Sequence, residues 1–245
     1  VAKHGNRAIT SKSGSADVLE ALGIRIDLSP ERAAAWLQDY QFAFFFAPNY
    51  HSAFKHIAPA RKLCAERGQR TIFNFLGPLL NPARPNAQLV GVPRPELCGT
   101  LAKVLQVLGT RRAMVVSGRV EAGEPCYLDE LSTLGATTVA EFYHERGFAT
   151  STLSCADFPL QPAALGDLAG NDRAANAEII MAIIEGRDRG PRRDAVLLNA
   201  AAAFLVAGAA KSLTEGWDIA AKVIDDGRAA KKVAQLRKAS LQSDR

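Results

Sequence analysis

The sequence predicts an α/β fold built on a mainly parallel central sheet, and three observations carry that expectation. Gln88 to Val92 reads as a strand, Pro95 to Leu108 as a helix and Ala113 to Val116 as a strand again. Strand, long crossover helix and strand is the βαβ order of parallel pairing, normally right-handed. Phe42 to Ala47 is an unbroken aromatic and apolar run of strand length, the pattern of a strand covered on both faces. From Arg173 to the end the pattern is helical.

The elements follow in order. Ser13-Gly14-Ser15-Ala16-Asp17 leads into Val18 to Gly23, a short helix with polar caps in front and a glycine behind. Ser29-Pro30-Glu31 opens a second helix, with Ser as the N-cap and Pro at the first helical position. Tyr50 to Glu66 is expected to be helical, interrupted or restarted at Pro59. Thr71 to Arg84 contains Gly77-Pro78 and Asn81-Pro82 and reads as a stiff loop connecting helices. Thr137 to Tyr143 and Phe148 to Leu153 flank His144-Glu145-Arg146-Gly147 and predict an antiparallel hairpin at the sheet's edge. Arg173 to Glu185, Ala195 to Ala207 and Leu213 onward predict helices. The last of these starts with the capping-box pattern Ser212-Leu213-Thr214-Glu215. Ala195 to Ala210 is Ala-rich with a single Asn199, as in a buried core helix, and the basic stretch after Arg228 is expected to be a solvated helix.

Composition narrows the class. The chain has 245 residues, 48% hydrophobic and 22% charged, which excludes a disordered polymer. No apolar run reaches the roughly 18–20 residues of a membrane helix. The net charge of +5 suits an anionic substrate and is too small for a nucleic-acid footprint. Cys64, Cys98, Cys126 and Cys155 are widely spaced without a CxxC, so they read as reduced, buried thiols in a cytoplasmic protein. The chain opens on Val1, already inside a charged motif, without an initiator Met or signal peptide. An upstream segment is therefore expected.

Two clusters carry chemistry. Lys3-His4-Gly5-Asn6-Arg7 sets two firm cations, an imidazole and an amide beside a glycine that lets backbone approach a ligand. Lys12-Ser13-Gly14-Ser15 follows at a helix start, where free N–H groups and two hydroxyls favour an anion. The alternative for both is a basic arm followed by an ordinary capped helix. Leu128-Asp129-Glu130-Leu131-Ser132 follows a strand and a Gly-rich loop, Ser117 to Gly123. Adjacent carboxylates supply hard oxygen ligands for Mg²⁺, which commonly shares its remaining positions with phosphate oxygens. An isolated pair would read as an exposed acidic turn. Together with the basic cluster, it suggests a Mg²⁺-diphosphate ligand. Asn74 to Pro82, preceded by Arg61 and Arg70, reads as a connector on its own. His51 and His56 are five residues apart, which disfavours metal binding on one helix face. His56 and His144 read as surface or satisfied histidines.

Taken together, Lys3 to Arg7, Lys12 to Asp17, Phe46-Ala47-Pro48 with Tyr50-His51, Thr71 to Pro82 and Leu128 to Ser132 resemble the anthranilate phosphoribosyltransferase family in order and spacing. The resemblance covers nearly the whole chain, and KHGNR, GPLxNP and LDELS are specific in combination. It implies the nucleoside phosphorylase/phosphoribosyltransferase type of fold, with a larger α/β domain here at 1–58 and 88–245 and a remnant of the small helical domain at 59–87. It implies transfer of a phosphoribosyl group from phosphoribosyl pyrophosphate (PRPP) to anthranilate, releasing pyrophosphate, in tryptophan biosynthesis. By match, Lys3, Ser13 and Ser15 hold PRPP phosphates and Asn6 lies near the ribose or anthranilate. Asp129 and Glu130 hold Mg²⁺. His4, Asn6 and Arg61 line the anthranilate route, with Arg61 pairing the carboxylate and His51 and Phe54 beside it. No catalytic base is assigned, because the amine is already a neutral nucleophile; His4 is the only nearby candidate. The complete protein is expected to be a homodimer.

The sequence also departs from the family. The GTGGD-type PRPP loop and most of the helical domain are expected upstream of Lys3, so this chain alone is expected to be weakly active or inactive. Arg61 to Arg70 carries about three extra residues by comparison with the family's loop spacing, and Arg119 to Tyr127 is also longer. Two further readings therefore stay open. One is a PRPP-dependent transferase for another aminobenzoate or heteroaromatic acid. The other is a non-catalytic nucleic-acid-binding relative, whose expected signs are loss of KHGNR and of the acidic pair and a larger basic surplus. A nucleoside phosphorylase leaves Asp129 and Glu130 without a metal-bound diphosphate.

Overall fold

The computed structural model describes residues 1–8, 12–69, 71–121 and 124–242, apart from the side chains of Lys55, Ala65 and Asn74. Arg70 and the Gly123 end of the Gly-rich loop lie outside the described residues. In chain order the elements are β1 (Ala2–Gly5), α1 (Ser15–Ala21), α2 (Pro30–Tyr40), β2 (Ala43–Phe46), α3 (Ala47–Tyr50), α4 (Phe54–Glu66) and α5 (Phe73–Leu76). Then come β3 (Ala87–Gly91), α6 (Glu96–Val107), β4 (Arg112–Val120), β5 (Cys126–Leu128), β6 (Thr137–Tyr143) and β7 (Gly147–Leu153). The helices α7 (Leu165–Leu168), α8 (Arg173–Ile184), α9 (Pro191–Ala207), α10 (Leu213–Asp225) and α11 (Arg228–Gln242) complete the chain. No helix among the described residues is long and apolar enough to cross a membrane.

The chain divides into two compact units. The first comprises Val1–Pro85, Asn171–Glu178 and Lys231–Arg245, and the second Asn86–Gly170 and Ile179–Ala230. In the first unit β1 and β2 pair in parallel, Lys3 opposite Phe44 and His4 opposite Phe45. All four residues of β2 are buried, as its unbroken apolar run requires. Phe44 and Phe46 pack with Ala16 of α1 and with Ile26. Burying each ring stabilises the unit by roughly 1.5–3 kcal/mol. α2 starts as expected: Ser29 Oγ accepts from the Arg32 amide at 3.3 Å, with Pro30 behind it. The helix expected over Tyr50 to Glu66 is two helices. The break falls at His51 to Ala53, and α4 runs through Pro59.

The basic tail is not simply solvated. Leu236, Ala239 and Ser240 of α11 are buried. Arg237 donates to the Leu22 carbonyl, and Ser240 Oγ accepts from the Arg25 amide at 2.8 Å. Leu236 and Ala239 anchor the helix while Lys231, Lys232 and Lys238 stay exposed.

The second unit holds a five-stranded sheet in the order β3-β4-β6-β7, with β5 also on β4. β3 and β4 are parallel, Val90 opposite Val115, joined by α6 as the βαβ pattern predicts. The α/β class stands, but the sheet is mixed: β4–β5, β4–β6 and β6–β7 are antiparallel. The short connections of these later strands leave no room for a crossover helix. β6 and β7 form the predicted edge hairpin, with Gly147 at φ 72° closing its loop. Ser117 to Val120 is not a loop, because it continues β4.

α9 and α10 cover the sheet in this unit. Leu197, Leu198, Ala201 and Ala202 meet Met114, Val116, Leu131 and Trp217 in one core cluster. Ser212 caps α10 by accepting from the Glu215 amide at 3.1 Å, while the Glu215 carboxylate accepts from the Lys211 amide, one residue before the cap.

Candidate functional site

Lys3-His4-Gly5, marked in the sequence as part of a ligand-binding cluster, lies in β1. Strand alternation puts Lys3 and His4 on opposite faces: Lys3 is exposed and His4 half-buried. Gly5 shows why a glycine ends this strand. A Cβ there would stand 3.1 Å from the Phe44 ring and 3.2 Å from Ser15 Oγ. The end of β1 therefore lies against the start of α1, where Ser13 is half-buried and Ser15 exposed. Asp17 closes the base of that turn, its carboxylate accepting from the Ala8 and Gly14 amides at 2.9 and 2.8 Å. These two bonds, chiefly the one from Ala8, hold its pKa below the ordinary carboxylate value.

Asn6 and Arg7 play different parts from those their types suggest. Asn6 Oδ1 accepts from the Arg7 amide at 2.8 Å. The Arg7 guanidinium is not a free fork for ligand oxygens. It spans both Glu20 oxygens, at 3.2 and 2.6 Å, and lies 4.8 Å over the Phe46 ring. Arg7 thereby ties β1 to α1 and β2.

Behind β1 the GPLLNP segment does more than connect helices. It forms α5 and a 3₁₀ turn over Gly77–Leu79, and it braces β1 at two points. Asn81 Nδ2 donates to the Ala2 carbonyl at 3.0 Å, and the Gly77 carbonyl lies 3.3 Å from His4 Nδ1. A carbonyl only accepts, so the proton belongs on Nδ1 of a neutral His4, and its Nε2 then accepts from His51 Nε2 at 3.1 Å. Burial, and then the charge of His51, lower the pKa of His4 below its ordinary value, which keeps it neutral.

From that pair a run of rings extends outward. His4 and His51 stand 5.0 Å apart edge-on, His51 and Phe54 5.6 Å apart, and Phe54 and Phe73 5.7 Å apart. Arg61, one helical face along α4, sits 5.8 Å over Phe54 and makes no ion pair among the described residues. The run of rings therefore ends at a guanidinium stacked on Phe54. The sequence singled out His4, His51, Phe54 and Arg61, and the structure brings them together. Phe73 was missed, although it stands in the motif already marked.

Asp129 and Glu130 belong to the second unit, just after β5, and both are exposed. Neither makes an ion pair among the described residues. The Glu130 carboxyl keeps a solvent-facing side while protein closes around the rest. Desolvation, and then the charge of Asp129, raise its pKa. A divalent cation would relieve that crowding, and two adjacent carboxylates fit Mg²⁺ as donors. Among the described residues no three His, Cys, Asp or Glu side chains converge to hold a metal unaided. Mg²⁺ commonly fills its remaining positions with substrate oxygens or water.

The other marked side chains are plainer. His56 and His144 are exposed as expected. Of the cysteines only Cys98 is fully buried, and burial pushes its thiol up to about 11. Cys64, Cys126 and Cys155 are half-exposed free thiols, which corrects their reading as buried hydrophobes.

Known proteins with the same architecture define the class. A family described as "Glycosyl transferase family, a/b domain" matches residues 1–230. The anthranilate phosphoribosyltransferase of Nitrosospira multiformis is 45% identical over 236 residues, covering 96% of this chain and 65% of that protein. This chain thus spans about two thirds the length of that curated relative. The crystal structure of anthranilate phosphoribosyltransferase from Thermus thermophilus superposes with a TM-score of 0.85 at 40% identity, covering 98% of this chain and 68% of that one. The Saccharomyces cerevisiae enzyme in complex with PRPP and Mg gives a TM-score of 0.82 at 28% identity, covering 98% and 65%. The same yeast protein is also known in complex with 4-fluoroanthranilate. The chain belongs to this glycosyl transferase family, among its anthranilate phosphoribosyltransferases.

Proposed function

We propose that the chain carries the greater part of a phosphoribosyltransferase that moves the phosphoribosyl group of PRPP to the amine of anthranilate and releases pyrophosphate. The observation that carries this reading is the cluster of His4, His51, Phe54 and Arg61, an aromatic wall ending, beside the KHGNR strand, in a cation that makes no ion pair among the described residues. The yeast relative's complexes with PRPP and Mg and with 4-fluoroanthranilate support it. Arg61 takes the acceptor carboxylate, and the His51–Phe54 edge lies along the ring. Lys3 and the Ser13 and Ser15 hydroxyls take phosphate oxygens, and Asn6 faces the ribose or the acceptor.

Asp129 and Glu130 would hold Mg²⁺, which when bound offsets the charge that grows on pyrophosphate as the C1–O bond breaks. Lys3 adds a fixed positive charge for the phosphates. Neutral His4, locked between the Gly77 carbonyl and His51, orients rather than abstracts a proton, because the aromatic amine attacks without prior deprotonation. Holding two substrates in line supplies much of the acceleration. Placement in tryptophan biosynthesis, a cytoplasmic setting and a homodimer belong to the same proposal and rest on the family resemblance. So does the division into an α/β domain at 1–58 and 88–245 and a helical remnant at 59–87.

The test is calorimetric titration with PRPP and Mg²⁺, then anthranilate, on this chain and on one extended upstream to the length of its relatives. PRPP binding followed by turnover of anthranilate supports the reading. PRPP binding without an anthranilate response moves the acceptor to another aromatic acid, in keeping with the long Arg61–Arg70 segment. No PRPP binding by either form overturns the proposal and brings the nucleic-acid-binding reading forward.

A further inference from the structure

The acidic pair is exposed, yet the backbone that carries it is tightly held. Leu131, the next residue, is 1% exposed, so water does not reach its peptide groups. Both are satisfied by one side chain from α9. Asn199 Oδ1 accepts from the Leu131 amide at 2.9 Å, and Asn199 Nδ2 donates to the Leu131 carbonyl at 3.1 Å. The second Nδ2 hydrogen goes to the Ala195 carbonyl at 3.0 Å, so the amide's donors are fully used. From Ala195 to Ala210 Asn199 is the one polar side chain, in a stretch that otherwise reads as pure core.

The floor beneath the turn is equally specific. A Cβ on Gly91, at the end of β3, would lie 1.5 Å from the Asp129 carbonyl oxygen. One on Gly118, within β4, would lie 2.5 Å from the Glu130 carbonyl oxygen and 2.7 Å from the Ser132 amide. Ser132 is in turn pinned by Thr137, whose Oγ1 accepts from its amide at 3.0 Å. Side chains are thus absent from the two strands where the acidic backbone crosses them, and an amide clamps it from above.

We propose that Asn199 is a positioning residue for the Asp129 and Glu130 carboxylates. It acts through the Leu131 backbone and holds both carboxylates at one spacing for a divalent cation on a diphosphate. The assignment rests on the metal reading given above. Its probe is Mn²⁺ with inorganic pyrophosphate, followed by the spectroscopic signal of free Mn²⁺, and its second readout is hydrogen exchange at the Leu131 amide.

Asn199→Ala is expected to speed exchange at Leu131 and to weaken Mn²⁺ binding roughly tenfold, the lower end of the range for residues that orient metal ligands. Asn199→Asp covers the case in which the alanine variant does not fold. It keeps the acceptor for the Leu131 amide and loses the two donated bonds. Its extra negative charge would by itself strengthen cation binding, so weaker binding reports a displaced turn. If Asp129→Asn with Glu130→Gln abolishes Mn²⁺–pyrophosphate binding while Asn199→Ala and Asn199→Asp leave it unchanged, the positioning role is wrong. If neither the unsubstituted chain nor its upstream-extended form binds, or the acidic double variant binds as well as the unsubstituted protein, the metal reading itself fails.

Discussion

Replacing Gly91 by Ala puts the tightest contact of the acidic turn under direct strain. The added methyl would lie 1.5 Å from the Asp129 carbonyl oxygen, 2.2 Å from its carbonyl carbon and 3.1 Å from its Cα. Ordinary separation requires a retreat on the order of 2 Å. The obstacle is backbone, so no side-chain rotation relieves it. Forcing a methyl into a packed interior costs about 1–3 kcal/mol, and an immovable neighbour puts this site near the top. At that upper value the melting temperature should fall by roughly 6–12 °C for a chain of this size. Because the carboxylates ride on the displaced segment, Mn²⁺–pyrophosphate affinity should fall about 10–100-fold as well.

Gly99 provides the control. It lies inside α6, and a Cβ there would meet nothing within 4 Å. Gly99→Ala should stabilise the protein by about 0.5–1 kcal/mol, through lower unfolded-state entropy and better helix propensity. Thermal and denaturant melting of the two variants, beside the Mn²⁺ titration, decides the matter. A Gly91→Ala protein that melts with the unsubstituted chain and keeps its Mn²⁺ affinity would refute the close-approach argument.

Three further outcomes follow from the first unit. Arg61→Ala, measured in the upstream-extended protein, should raise the KM for anthranilate several-fold more than the KM for PRPP, on the order expected for one charge-assisted contact; an equal effect on both argues against carboxylate pairing. His4 should titrate by NMR below its ordinary 6.5, and His51→Ala should recover only part of the shift, because burial is the larger cause. With the folded pKa below the unfolded one, the contribution of neutral His4 to stability is complete above 6.5 and is lost as pH falls through the folded midpoint; a midpoint at or above the ordinary value contradicts the buried, shared-proton geometry. Arg7→Lys keeps the charge but loses the two-point contact with Glu20 and the stacking on Phe46. It should cost about 0.5–1 kcal/mol in denaturant melting, a modest figure because the pair is partly exposed, and an unchanged midpoint would show that this tie is idle.

Much of the fold was legible because its signals are local. The Ser29-Pro30 helix start, the β3-α6-β4 unit and the β6–β7 hairpin each depend on residues close in sequence, where caps, turns and apolar periods act. The break at His51 instead of Pro59, the buried stripe of α11 and the continuation of β4 through Gly118 were not legible. Each depends on what packs against the segment from far along the chain. The mixed sheet falls in the same group: β5 is three residues long and gains its identity only by pairing with β4.

The candidate site divides along the same line. The amino-acid sequence by itself determined which chemical groups are present: the basic strand, the hydroxyl turn, the arginine of α4 and the acidic pair, all in contiguous motifs. Only the tertiary structure decided what those groups are free to do. It committed Arg7 to Glu20 and Phe46, set Arg61 over Phe54 without an ion pair among the described residues, and fixed the proton of His4 through the Gly77 carbonyl. It also drew Asn199 from 68 residues away to clamp Leu131. The reason is physical. Residue type sets the charge and hydrogen-bonding capacity of a side chain, whereas the partners that consume or spare that capacity come from segments whose proximity no local pattern encodes.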